Sequence, residues 1–143
     1  MISERLAIAL RDAGLRWGPR PGDRFVIPQP ELEGQVFTLS EMTIEARQYP
    51  TGTILGFNGT TEWALDSVAK EEALWLPRED QLRDLLGGTF AALRRTDGGY
   101  TVATSGPGGD REVTERVAAD AYARALLALM ELSATEVSGR PAT

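Results

Sequence analysis

The sequence predicts an α+β domain built in two layers: a mainly antiparallel sheet of about five or six strands, with about three helices packed on one face. Three observations carry that expectation. Apolar residues recur at helical spacing near both ends and once in the middle of the chain, and short alternating segments fill the intervals between. The 143 residues match the usual size of one compact domain, a length at which roughly two thirds of the unfolded chain's surface is buried. A hydrophobic fraction of 42% and a charged fraction of 25% are those of an ordinary globular chain, enough for a core without disulfide or metal staples.

In chain order, Ser3 is placed to cap a first helix with Leu6, Leu10 and Ala13 inward, Ala7 alongside and Gly14 as its stop. Leu15 and Trp17 anchor the chain after it, and Pro19 and Pro21 make Gly18 to Gly22 a loop. Four extended segments follow, at Phe25–Ile27, Val36–Leu39, Thr43–Gln48 and Ile54–Phe57. Pro28 and Pro30 keep the first one short or at an edge, and residues 50–53 read as a hairpin connection between the last two. Glu62 to Ser67 reads either as a helical turn or as a loop packed by Trp63 and Leu65. Ala73 to Leu76 is apolar on both parities, hence buried.

Pro77 introduces a second helix with Glu79 or Asp80 in its first turn, where negative charge suits the dipole. Leu82, Leu85, Leu86, Phe90 and Leu93 keep helical spacing, although Gly87 and Gly88 interrupt it at about 1 kcal/mol each relative to Ala. Arg94 and Arg95, with Arg83, form the basic end of this helix. Tyr100 to Ser105 and Arg111 to Val117 alternate as two strands of a hairpin around Gly106–Asp110, with Val113 and Val117 inward. A last helix, about Asp120 to Leu132, carries Tyr122, Ala123, Leu126, Leu127 and Met130 on one face. The expected organisation is one domain over residues 1–132 and a flexible tail over 133–143.

The net charge is −6, from 15 basic and 21 acidic residues. An acidic surface repels phosphate backbones, so nucleic acid is not an expected partner. The chain has no Cys and no His. That excludes disulfides, thiol nucleophiles, His-based triads and zinc sites of the usual kind. Acid–base work near neutral pH falls to carboxylates, Tyr or Lys70, the one lysine. Residues 1–5 run straight into an amphipathic pattern, and no stretch approaches 18 apolar residues. The expectation is therefore a cytoplasmic protein without membrane insertion.

Candidate function concentrates between Asn58 and Glu72. One reading makes Asn58, Thr60, Thr61, Glu62, Trp63 and Asp66, with Trp75 and Arg78, the contact surface of a protein partner, centred on Trp63 or Trp75. A second makes Glu62, Asp66 and Glu72 the ligands of Mg²⁺ in a hydrolase or transferase, since residues four apart share one face of a helical turn. A solvated acidic loop pinned by one Trp has the same composition. Trp17, Trp63, Trp75, Phe25, Phe37, Phe57 and Phe90 fall mostly on inward parities and read as core, with a small-metabolite pocket as the alternative. Gly87-Gly88-Thr89 and Gly106–Asp110 lack the Lys of a phosphate loop, and Pro107 removes an amide donor, so neither is one. The hairpin from Tyr100 to Val117 offers an edge through which the chain can pair with a second copy.

GFNGTTEWALDSV, then EEALWLPREDQLRDLLGG and DAYARALLAL, resemble a set of small proteins of high-GC actinobacteria grouped with pilus assembly proteins. The resemblance covers about Leu6 to Met130. It points to a protein similar to the Tad pilus localisation ATPase, whose P-loop this chain lacks, so it implies a pilus-associated role without ATPase activity. A weaker similarity, to small phage-encoded α/β sandwich proteins, supports the architecture alone. The expectation from the sequence is a non-enzymatic binding or adaptor module that recognises another protein and needs no cofactor.

Overall fold

The computed structural model describes residues 1–39, 44–49, 52–57, 67–69 and 72–139, with the backbone alone for 44–49, 52–57, 67–69 and 135–139. In chain order the elements are α1 (Glu4–Asp12), β1 (Arg24–Val26), β2 (Phe37–Thr38), β3 (Ile44–Tyr49), β4 (Gly52–Phe57), β5 (Ser67–Ala69) and β6 (Leu74–Leu76). They continue with α2 (Glu79–Leu86), β7 (Phe90–Thr96), β8 (Gly99–Gly106), β9 (Gly109–Glu115) and α3 (Ala118–Gly139). Short 3₁₀ turns stand at Pro30–Leu32 and Gly87–Thr89. The chain is α+β, as expected, and divides into two compact units, Met1–Arg16 with Pro77–Thr143 and Trp17–Leu76. No helix among the described residues is long and apolar enough to cross a membrane.

The expected sheet of five or six strands is not seen among the described residues. Their strands pair as three antiparallel three-stranded sheets, ordered β2-β1-β6, β3-β4-β5 and β7-β8-β9. One reason lies at Gly87, whose φ of 57° and ψ of −133° end α2. The sequence expectation carried that helix on through Phe90 and Leu93, yet those residues form β7 and pair with β8. The hairpin thereby gains its third strand from its immediate chain neighbour. Arg94 and Arg95 are consequently strand residues and not a helix end. Arg94 Nη2 reaches Glu112 Oε1 at 2.6 Å on the exposed face of this sheet.

In the first unit, the Ser3 hydroxyl accepts a hydrogen bond from the Leu6 amide at 3.3 Å and caps α1. Leu6, Ala7 and Leu10 are buried, whereas Ala13 is the exposed C-cap. Gly14, at φ 112°, takes the chain out of the helix. The Ser3 amide donates to Asp120 Oδ1 at 2.7 Å, tying the start of α1 to the first turn of α3. α3 packs on β8 and β9, and α1 and α2 pack on α3. Ala119, Ala121, Tyr122, Ala123, Ala125 and Leu126 are buried along it, and it runs past the expected end at Leu132 to Gly139. The Tyr122 ring lies 5.7 Å from Phe90, and its hydroxyl accepts from Arg83 Nη1 at 3.4 Å. Val117, expected inward, is 40% exposed because β9 ends at Glu115 and the chain turns into α3.

β7 and β8 are joined by Asp97 and Gly98, with Thr96 facing Gly99 in register. Gly99 has φ 140°, and a Cβ there would run into the carbonyl oxygen of Glu115 on β9. Gly98 has open space at the same point. Gly99→Ala is expected to cost about 2 kcal/mol or more, from backbone strain and collision with fixed backbone. Gly98→Ala is expected to leave stability within about 0.5 kcal/mol. Urea unfolding of the two variants measures the difference.

Candidate functional site

The second unit is organised around an aromatic ladder. β1 lies between β2 and β6, and Phe25 is in register with Phe37 on one side and Trp75 on the other. Cross-strand neighbours share a face, so the three rings line one side of the sheet. Phe25 and Phe37 lie 5.5 Å apart at 24°, and Trp17 caps the row from the preceding loop. Its ring is 5.4 Å from Phe25 and stacks on Trp75 at 6.5 Å and 11°. Phe25, Ile27, Leu32, Leu39, Ala73 and Trp17 are buried, with Phe37 and Trp75 half-buried against them.

Asp23 holds Trp17 in place. Its side chain is 2% exposed, and Oδ2 accepts from the Trp17 indole N–H at 2.9 Å and from the Arg20 amide at 3.0 Å. The Asp23 amide donates to the Arg20 carbonyl at 3.1 Å, and the Asp23 carbonyl accepts from the Leu39 amide at 2.8 Å. One residue thus closes the Arg20–Asp23 turn, joins it to the segment after β2 and orients an indole. A buried carboxylate is costly unless hydrogen-bonded, so these donors are a condition of the fold. Sequence reasoning passed over Asp23. The signal was Pro21-Gly22-Asp23, a turn ending immediately before a strand and six residues after a Trp.

Trp75 differs from Trp17. Its indole Nε1 is buried and has no hydrogen-bond partner among the described residues, while the residue as a whole remains partly open to solvent. Phe37 is similarly half-buried, and Val36 beside it is 41% exposed. Two strand spacings separate Phe37 from Trp75, about 10 Å. The flanks of the ladder therefore present apolar surface while its centre is sealed.

Trp75 is the residue of the proposed contact surface that the described part of this unit contains. Arg78 belongs to the other unit, at the N-cap of α2, where its amide donates to Gln81 Oε1 at 2.9 Å. Its guanidinium forks onto Asp80, with Nε 3.1 Å from Oδ1 and Nη2 3.4 Å from Oδ2. That hydrogen bond holds the Asp80 carboxyl below its ordinary value, with burial opposing it and the Arg78 charge adding to it. Asn58, Thr60, Thr61, Glu62, Trp63 and Asp66 lie outside the described residues. Of the alternative Mg²⁺ ligands, Glu62 and Asp66 lie outside them too, and Glu72 is exposed. Among the described residues no group of three acidic side chains converges to hold a metal ion.

The two tryptophans are expected to respond differently to loss of the indole nitrogen. Trp17→Phe takes a donor from a buried carboxylate, costing about 1–3 kcal/mol beyond the lost ring area. Trp75→Phe removes an N–H that has no partner, so its cost is expected to be smaller by at least about 1 kcal/mol. Equal losses in urea unfolding would mean that the Trp17–Asp23 bond contributes nothing.

Arg78→Ala is expected to raise the Asp80 pKa toward its ordinary value, since the largest lowering influence is removed. The folded value in the wild type lies below the unfolded one, so the pair's stabilisation is present above about pH 4. It is lost as pH falls through the folded value. Both groups are solvent-accessible, so its size stays within about 1 kcal/mol. A carboxyl-detected NMR titration of wild type and variant reads the shift directly.

In comparisons with known proteins, no family model, no curated protein and no solved structure matches the chain.

Proposed function

We propose that the chain is a non-enzymatic protein-binding module that receives its partner on the flanks of the aromatic ladder, with Trp75 as the anchor. The observation that carries this reading is the state of Trp75: a large ring, partly open to solvent, stacked on a second indole that Asp23 holds fixed. Trp is enriched among the few residues that dominate binding energy. A ring already immobilised by stacking loses little further rotamer freedom when a partner covers it, so more of the buried area appears as affinity. Phe37 extends the apolar surface on the far strand, and Val36 immediately before that strand is exposed. Asn58, Thr60, Thr61, Glu62, Trp63 and Asp66, which lie outside the described residues, stay part of the proposed contact surface, and the charge of Glu62 and Asp66 favours a partner carrying basic residues. The absence of His and Cys from the sequence narrows the catalytic alternatives without contributing to binding. The resemblance to actinobacterial pilus-associated proteins directs the search for the partner to pilus assembly proteins.

The test is capture from an actinobacterial lysate with tagged full-length chain, followed by calorimetry with the purified partner. Wild type is expected to retain a specific protein. Val36→Arg, which adds charge to exposed surface without touching the core, is expected to weaken binding at least about tenfold, as is Trp75→Ala. Circular dichroism confirms that the variants are folded. A partner bound equally by wild type and Val36→Arg would place the interface elsewhere, and an empty capture would remove the adaptor reading.

A further inference from the structure

A second candidate site lies in the first unit, between the tip of the β8–β9 hairpin and the later turns of α3. Its walls are Thr104 and Arg111 from the sheet and Leu129 and Leu132 from the helix, with the backbone of Gly106 and Gly108 closing one end. The cleft has about 300 Å³ counted to its open mouth. Thr104 and Arg111 are partners in register across β8 and β9, and Phe90 pairs with Thr104 from β7. All three therefore share the sheet face that packs on α3, where Phe90 meets Tyr122.

The glycine at 108 makes this arrangement possible. A Cβ there would stand 2.5 Å from Leu132 Cδ2 and 3.0 Å from Arg111 Nη2. The guanidinium thus lies over the bare Cα, at the junction of a polar and an apolar wall. Strand alternation sends Asp110 and Glu112 to the opposite face, where Glu112 is held by Arg94. Glu115, two positions along on the Arg111 face, is engaged by Arg124 at 3.2 Å. Arg111 has no ion-pair partner among the described residues, in a chain with 21 acidic residues.

We propose that this cleft binds a small aliphatic monocarboxylate, with the carboxylate on Arg111 and Thr104 and a short alkyl stem against Leu129 and Leu132. A guanidinium offers two parallel N–H donors in the plane of a carboxylate, and the threonine hydroxyl supplies a third. The leucines favour alkyl over further charged oxygen. A phosphate group would turn its remaining oxygens toward those leucines.

The full-length chain is titrated with sodium acetate, sodium butyrate and sodium phosphate at constant ionic strength, following the amides of Gly106, Gly108 and Gly109 by NMR. Saturable shifts in the millimolar range are expected for both carboxylates. Butyrate is expected to bind at least about threefold more tightly than acetate, because its extra methylenes meet the leucines. Arg111→Gln is expected to abolish saturation and Arg111→Lys to weaken it. Gly108→Ala is expected to block the cleft sterically. Arg111 is an exposed side chain, so its variants test the site even if Gly108→Ala perturbs the hairpin. Linear shifts up to about 100 mM, unchanged saturation in Arg111→Gln, or tighter binding of phosphate than of butyrate would each overturn the proposal.

Discussion

A carboxylate buried to 2% exposure has to be supplied with donors, and the segment from Trp17 to Asp23 is arranged around meeting that requirement. The Trp17 indole and the Arg20 amide both point at one oxygen. Meeting it closes the Pro-rich loop after α1, sets the entry to β1 and presses Trp17 flat against Trp75. Trp75 takes its orientation from this contact, since its own N–H has no partner among the described residues to fix it. The surface proposed to receive a partner is thus rigid because of a polar interaction at some remove from it. Burial of rings alone would leave their tilt less well defined, as area is indifferent to direction.

The other unit rests on a different device. Ala118, Ala119, Ala121, Ala123 and Ala125 are all buried on α3, and their small side chains let sheet and helices approach the helix axis closely. Tyr122 and Leu126 supply bulk within that frame, with Tyr122 meeting Phe90 on one side and Arg83 on another. The Tyr122 hydroxyl oxygen accepts from Arg83 at the edge of the core, so the polar atom of this fully buried side chain has a partner. The Ser3–Asp120 bond joins residues 117 apart in sequence, which brings the first helix into the same core as the last.

Both outer strands of the β7-β8-β9 sheet carry charge: Arg94 and Arg95 on β7, and Asp110, Arg111, Glu112 and Glu115 on β9. Charged side chains discourage strand addition at a free edge. Three of these six settle a second matter as well, since Arg94 pairs with Glu112 and Glu115 with Arg124. Arg111 is set apart by where its strand position places it, over a glycine and beside two leucines. Position on a face, more than residue type, separates a gatekeeping charge from a binding group.

Local signals in the sequence were sufficient for α1, the β8–β9 hairpin and the course of α3, because capping, turn chemistry and apolar spacing act within a few residues. β7 was misread as helix, since Phe90 and Leu93 keep a helical interval with Leu82 and Leu86. The choice went to the strand because Gly87 breaks the helix and β8 offers an edge, and pairing across a hairpin does not show in spacing. Of the candidate site, the sequence offered Trp63 or Trp75 as the centre of a contact surface and passed over Asp23, whose importance comes from an indole six residues away. The sequence by itself determined the α+β class, the exclusion of Cys and His chemistry and the placement of most apolar residues inward. Tertiary structure alone decided how the strands divide among sheets, which Trp receives a hydrogen-bond partner and which Arg is left facing a cleft. Composition and local propensity act along the chain, whereas pairing, burial and charge satisfaction depend on residues that meet only when the chain is folded.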